Sequence, residues 1–330
     1  MNQTTVQLPK PVLFDHDGGV DDFLSLLLLL LLDEVELTGI SITPADCYAE
    51  NALDTTLKLL ALTNKNHIEV GVGNYHGINA FPADWRAKPK ILNALPDMIN
   101  VPCTHEPETL ENSCDFFVRK LSAAPLPVTV LLTGPCSNLV QALEKHPEIE
   151  TKISEVVWMG GALDVHGNVR TYNHDGSAEW NVFWDPVSAS KLIKSGLPLT
   201  IVPLDTTNHV PVTFDFLKKL AAQASAFYAH LAGQFWATTI DTIPSYDYTY
   251  FMWDVLTTSY LAIPEAFTLQ QMELDVAPSG ASAGKVFRAP GSGQWVQVAT
   301  NVDKEFFYNF LFKKLTSETK NPAGFRRHFY

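Results

Sequence analysis

Short runs of apolar residues alternate along the chain with longer stretches whose apolar positions recur every three or four residues. The runs at 12–14, 37–43, 68–72, 128–132, 155–159 and 199–203 read as strands, being nearly continuous in apolar side chains and too short for helices. The stretches at 21–32, 51–62, 110–123, 140–146 and 186–195 read as helices, and 214–241 as mostly helical. This βα alternation predicts one α/β domain over residues 1–330, with a mostly parallel central sheet flanked by helices on both faces. Two segments interrupt it: a loop insertion around 74–105, rich in Pro and Asn at 82–101, and a mobile helical and loop region around 241–253. The leucine run 26–32 falls far short of the roughly 20 residues a membrane helix needs. Bracketed by Asp21-Asp22 and Asp33-Glu34, it predicts a helix buried on nearly every side.

Composition narrows the function classes. Hydrophobic residues make up 46% and charged residues 18%, so a sizeable core is available. The 23 basic against 36 acidic residues, net −13, argue against nucleic-acid and anionic-membrane partners. Residues 1–11 carry no basic-then-apolar pattern, so no secretion signal is expected. Cys47, Cys103, Cys114 and Cys136 form no CxxC pair, and reduced structural thiols in the cytoplasm are expected.

In parallel sheets ligands sit beyond the carboxyl ends of the strands. Polar residues gather there: Asp15 to Asp22 after the first strand, then Asp46, Thr133-Gly134-Pro135, Gly160-Gly161 with Asn168, and Asp205 with Asn208. The first group places Asp15, Asp17, Asp21 and Asp22 within eight residues. A helix N-terminus accommodates one or two carboxylates. Four crowded ones repel, and a hard divalent cation with oxygen ligands resolves that repulsion. No His/Cys set suggests zinc.

A strand followed by DxD has two readings. One is phosphoryl transfer on an Asp nucleophile, as in phosphotransferases of the haloacid dehalogenase type. That chemistry calls for a nearby cation, and no Lys or Arg lies between Lys10 and Lys58. The other is the nucleoside hydrolase family, whose first loop Asp15-x-Asp17-x-Gly19-x-Asp21-Asp22 resembles. Thr133-Gly134-Pro135-Cys136-Ser137-Asn138, Met159-Gly160-Gly161-Ala162, Ala178-Glu179-Trp180-Asn181 with Asp185-Pro186, and Trp253-Asp254 resemble later segments of that family, in order, over about 12–258. Gly18 stands where base-nonspecific members carry Pro, and Trp253 where they carry His. With Asp46 and Phe81-Pro82-x-x-Trp85-Arg86, these resemble the purine-specific inosine–adenosine–guanosine hydrolases of parasitic protozoa such as trypanosomes. The chain departs from that group at Gly19, where an Asn is usual, and in lacking an Arg near 245.

The resemblance implies a Rossmann-like nucleoside hydrolase fold and cleavage of the N-glycosidic bond of inosine, adenosine or guanosine. It implies Ca²⁺ held by Asp17, Asp22, Asp254 and the Thr133 carbonyl, with Asp17 also the general base. It implies ribose contacts from Asp21, Asn168, Glu179 and Asn181, with Met159 at the turn beside them. The leaving base would lie between Trp85 and Trp253, with Asp46 at its edge and Tyr250 closing over it. A homodimer is implied too. A nucleoside-binding protein without catalysis is the non-enzymatic alternative. Asp15 is expected as a hydrogen-bond partner behind the loop, and Asp205 and Asn208 as turn formers. Trp158, Trp184, Trp236 and Trp295 are expected in the core, and Asp46 has a simpler reading as a helix cap.

Overall fold

The computed structural model describes residues 8–79, 81–83, 86–87, 90–102, 110–223, 225–240 and 249–317. The strands are β1 (Lys10–His16), β2 (Val35–Ile42), β3 (Val70–Val72), β4 (Val128–Leu132), β5 (Ile153–Met159), β6 (Leu199–Val202), β7 (Phe267–Val276), β8 (Val286–Arg288) and β9 (Gln294–Val302). The helices are α1 (Val20–Leu31), α2 (Ala49–Leu62), α3 (Ser113–Ala123), α4 (Ser137–Lys145), α5 (Trp180–Trp184), α6 (Pro186–Lys194), α7 (Leu204–Thr207), α8 (Phe214–Ala221), α9 (Phe227–Ala237), α10 (Trp253–Ser259) and α11 (Lys304–Leu315).

The strands form one sheet in the order β3-β2-β1-β4-β5-β6-β9-β7-β8. Every pairing from β3 to β9 is parallel, and β7 is the reversed strand, pairing antiparallel with both β9 and β8. The expected fold class therefore holds. β1 and β4 are buried along most or all of their length because helices cover both faces, which is why they read as unbroken apolar runs. The chain leaves β1 toward β2 on one side and returns to β4 on the other. That reversal opens a crevice beyond the carboxyl ends of β1 and β4.

Helix α1 is the expected interior helix: Leu24, Leu26, Leu27, Leu28, Leu29 and Leu31 are all buried. It packs against α9, α10 and α11. Its greasy body fixes its first turn rigidly at the crevice.

Several boundaries moved for local reasons. α3 starts at Ser113 rather than 110, because the Asn112 side chain accepts from Cys114 N at 3.0 Å and caps it. The 214–241 stretch is two helices, α8 and α9. The described part of the insertion is irregular apart from a 3₁₀ turn at Leu92–Ala94, and residues 103–109, with Cys103, lie outside the described residues. So do 241–248, most of the region expected to be mobile. Trp158, Trp184 and Trp236 are fully buried as expected, but Trp295, also expected in the core, is 60% exposed. On β9 it faces away from Val296 and Val298, on the outer surface of the antiparallel flank. Cys47, Cys114 and Cys136 are buried free thiols. No described helix is long and apolar enough to cross a membrane.

Candidate active site

The carboxyl end of β1 runs straight into the acidic loop. Gly18 turns the chain with φ +84°, and a Cβ there would lie 2.7 Å from Cβ atoms of Ala52 and Cys47. A proline, locked near φ −65°, cannot take this position, so the glycine is a geometric requirement. Gly19 precedes α1 and gives its N–H to Asp22 Oδ2 at 2.7 Å. Behind the loop, Asp15 accepts from Ser41, from Thr43 Oγ1 at 2.7 Å and from Asn138 Nδ2 at 3.0 Å. It is the expected supporting partner, and burial pushes its carboxyl up to about 6. His16, stacked on Phe14, is held neutral by burial, its pKa lowered to about 3.

Asp17, Asp21, Asp22 and Asp254 meet at the crevice, each at most 5% exposed. Asp17 Oδ2 accepts from Asp46 N at 3.0 Å, and Asp22 Oδ1 accepts from the Thr133 hydroxyl at 2.5 Å. Asp21 accepts from the Tyr250 hydroxyl at 2.6 Å and from Asp254 N at 3.2 Å. Asp17 and Asp22 share a hydrogen bond, as do Asp21 and Asp254. Burial, then the repulsion of neighbouring carboxylates, holds Asp17 and Asp254 well above the usual range. Asp22 rises to about 7 and Asp46 to about 8, again chiefly through burial.

Asp46 is not a helix cap: the residue capping α2 is Tyr48, which makes no side-chain cap bond. Asp46 instead joins the loop to the insertion, accepting from Ala87 N at 3.3 Å.

The opposite wall comes from the carboxyl end of β5 and the segment leading to α5. Glu179 caps α5, accepting from Asn181 N at 2.8 Å, and also holds Gly161 N at 3.0 Å. Burial raises its carboxyl to about 7. Asn181 Nδ2 donates to the carbonyls of Thr133 at 2.9 Å and Met159 at 3.1 Å, tying β4 to β5. Asn168 Oδ1 accepts from Trp180 N at 3.0 Å. Asp205 does act as a loop former, taking the amides of Leu163 and Asp164. Trp253 opens α10, and its indole N–H donates to Asn208 Oδ1 at 3.2 Å.

These groups enclose one cavity of about 470 Å³, within the range of small-molecule sites. Asp17, Asp21, Asp22, Asp46, Thr133, Met159, Asn168, Glu179, Asn181, Tyr250, Trp253 and Asp254 all line it. Trp85 lies outside the described residues. The sequence reading gave no role to Phe81 and Trp180, whose rings stack at 4.3 Å on the cavity wall, nor to His166 and Arg170 at its rim. Phe81 and Trp180 are far apart in sequence: each stands in a segment noted for its resemblance, but nothing local pairs them.

The chemistry of the donors suits a hard divalent cation. They are all oxygens, and among the described residues no Lys, Arg or His forms an ion pair with Asp17, Asp21, Asp22 or Asp254. Among those residues no three such side chains already surround a common point as a cage. The fit is one of donor type and charge.

Comparison with known proteins follows the same lines. The family described as inosine-uridine preferring nucleoside hydrolase matches residues 12–309. The pyrimidine-specific ribonucleoside hydrolase RihA of Klebsiella pneumoniae (strain 342) is 26% identical over 321 residues, 92% of this chain and 98% of that protein. The crystal structure of the inosine-uridine preferring nucleoside hydrolase from Bacillus anthracis superposes with a TM-score of 0.85 at 35% identity, covering 93% of this chain and 99% of that one. The purine-preferring ribonucleoside hydrolase from Gardnerella vaginalis superposes with a TM-score of 0.78 at 25% identity, covering 93% and 98%. The specificities named for these relatives fall on both sides of the purine–pyrimidine divide. An acidic first loop, a crevice at the strand reversal and a match from 12 to 309 lead to one assignment: the chain belongs to the inosine-uridine preferring nucleoside hydrolase family, enzymes that hydrolyse the N-glycosidic bond of ribonucleosides.

Proposed function

We propose that this enzyme hydrolyses purine ribonucleosides of the inosine, adenosine and guanosine class to ribose and free base, with Ca²⁺ as cofactor. The observation that carries the reading is a single cavity with buried carboxylates on its floor and the Trp253 indole in its wall. Asp17, Asp22, Asp254 and the Thr133 carbonyl would hold the cation, which when bound supplies Lewis acidity toward water and an anchor for the ribose diol. Asp17 takes the proton of the attacking water. Asp21, Asn168, Glu179 and Asn181 hold the sugar in a reactive pose. The transition state has oxocarbenium character, which buried carboxylates stabilise.

The leaving base is the discriminating element. Trp253 has no titrating proton to give, so its contribution is its ring face, stacked on the leaving purine. Trp85 completes the sandwich in this reading, with Asp46 at the base edge and Tyr250 over it. The protein is further proposed to work in the cytoplasm as a homodimer. The name of the RihA relative favours a second reading, pyrimidine nucleosides. Base release from inosine and uridine, assayed side by side with Ca²⁺, separates the two. Preference for inosine supports the purine reading, and preference for uridine overturns it. Inactivity on both, with nucleoside binding retained, leaves a binding protein.

A further inference from the structure

The contact between Trp253 and Asn208 fixes more than the indole. An indole nitrogen carries a hydrogen and offers no acceptor, so the Asn208 atom facing it at 3.2 Å must be the amide oxygen. That settles which way round the amide sits, an assignment usually open for asparagine. The NH₂ group is then turned away from the indole, and among the described residues no acceptor takes its hydrogens. Asn208 closes α7 and its backbone N–H bonds to Leu204 O at 3.0 Å, so the side chain is mounted on a fixed turn after β6. Both Asn208 and Trp253 line the cavity, and the indole rests against Met159, Ala162 and Leu204.

We infer that Asn208 is a specificity-determining residue whose Nδ2 donates a hydrogen bond to an acceptor on the leaving base, N7 of a purine, and that the Trp253 N–H is the group that orients it. This inference rests on the purine reading above. As the glycosidic bond breaks, its electron pair passes to the base, the proton of the attacking water passes to Asp17, and the departing base takes its proton from solvent. Charge that develops on the imidazole ring is met by a donor already in place, which favours the transition state over the bound nucleoside. The indole N–H is consumed in orienting the amide, so the amide hydrogen is the donor this pair presents.

Four rates test it: kcat/KM of the wild type and of Asn208→Leu on inosine and on 7-deazainosine, which lacks the N7 acceptor. p-Nitrophenyl riboside, whose leaving group needs no donor, reports on the sugar site. Asn208→Leu is expected to lower the inosine to p-nitrophenyl riboside ratio by roughly 10- to 100-fold, chiefly in kcat. The wild type is expected to lose a similar factor on 7-deazainosine, with no further loss in Asn208→Leu, because both changes remove one contact. Trp253→Phe, which keeps a ring but not the N–H, should also lower the ratio. A parallel fall on inosine and p-nitrophenyl riboside, or independent losses that multiply, overturns the inference and leaves Asn208 structural. A wild type that cleaves uridine and not inosine overturns the purine reading itself, and the N7 contact with it.

Discussion

Replacing Asp22 by Asn should make the chelated protein more stable at neutral pH while abolishing its activity. Asp22 is 1% exposed, and burial raises its pKa from 3.8 to about 7. The sign follows from the raised value. Below about pH 4 the group is protonated folded or unfolded, and no penalty exists. As pH rises toward 7 the unfolded chain ionises while the folded one resists, and stability is lost. A difference of about 3 pKa units corresponds to about 4 kcal/mol. An amide is a neutral copy of the protonated form, but it cannot accept from both the Thr133 hydroxyl and Gly19 N. Losing one such bond costs about 1 kcal/mol. The net gain is about 3 kcal/mol at pH 8, which for 330 residues is roughly 4 °C in Tm. Thermal unfolding at pH 5 and pH 8, each with chelator and with Ca²⁺, reads this directly. Wild type should lose stability from pH 5 to pH 8 in chelator and regain it with Ca²⁺, whereas Asp22→Asn should lose less over that range, because within the cluster only Asp17, Asp21, Asp46 and Asp254 still resist ionisation, and should regain less with Ca²⁺. Because neighbouring carboxylates titrate with it, the loss should appear as one broad step between about pH 4 and pH 8. His16 acts in the opposite sense, but it is one group against several. A chelated wild type with flat stability over this range, no less stable at pH 8 than Asp22→Asn, would refute the reasoning.

Further outcomes follow from the same geometry. Asp17→Ala should lower kcat by about 10²–10⁴-fold in a base-release assay, with the circular dichroism spectrum unchanged; near-normal turnover would remove its role as base. Trp253→Ala and Trp85→Ala should each slow purine release by roughly 3- to 30-fold in kcat, and an effect on KM alone would rule out activation by stacking. Gly18→Ala, forced to φ +84° and into Ala52 and Cys47, should cost roughly 2–6 kcal/mol in chemical denaturation. Chelation should silence the enzyme, and Ca²⁺ should restore it better than Mg²⁺, as direct assays with each ion will register.

The parallel part of the fold was legible because strands covered on both faces leave an unbroken apolar trace, as β1 and β4 do. The acidic loop was legible because four carboxylates in eight residues exceed the one or two that a helix N-terminus can use. The chain beyond 241 was harder. β7 is shifted in register between Thr268 and Leu269, which breaks the period of two that would have revealed it. Trp295 was misjudged on residue type, although its alternation with Val296 and Val298 already set it on the opposite face. Asp46 looked like a cap from its place before α2, and only the approach of Ala87 across the insertion explains it. The Phe81–Trp180 stack joins loops 99 positions apart, and no local pattern announces such a contact.

Helix α1 begins as reactive surface and continues as solid interior, with no outward side on which selection can act quietly. Drift in the leucines would be felt first as lost turnover and only later as lost solubility. New substrate preferences in this lineage should therefore arise around Phe81, Arg86, Ala87, His166, Arg170, Thr249 and Phe251, which border the cavity without forming its foundation.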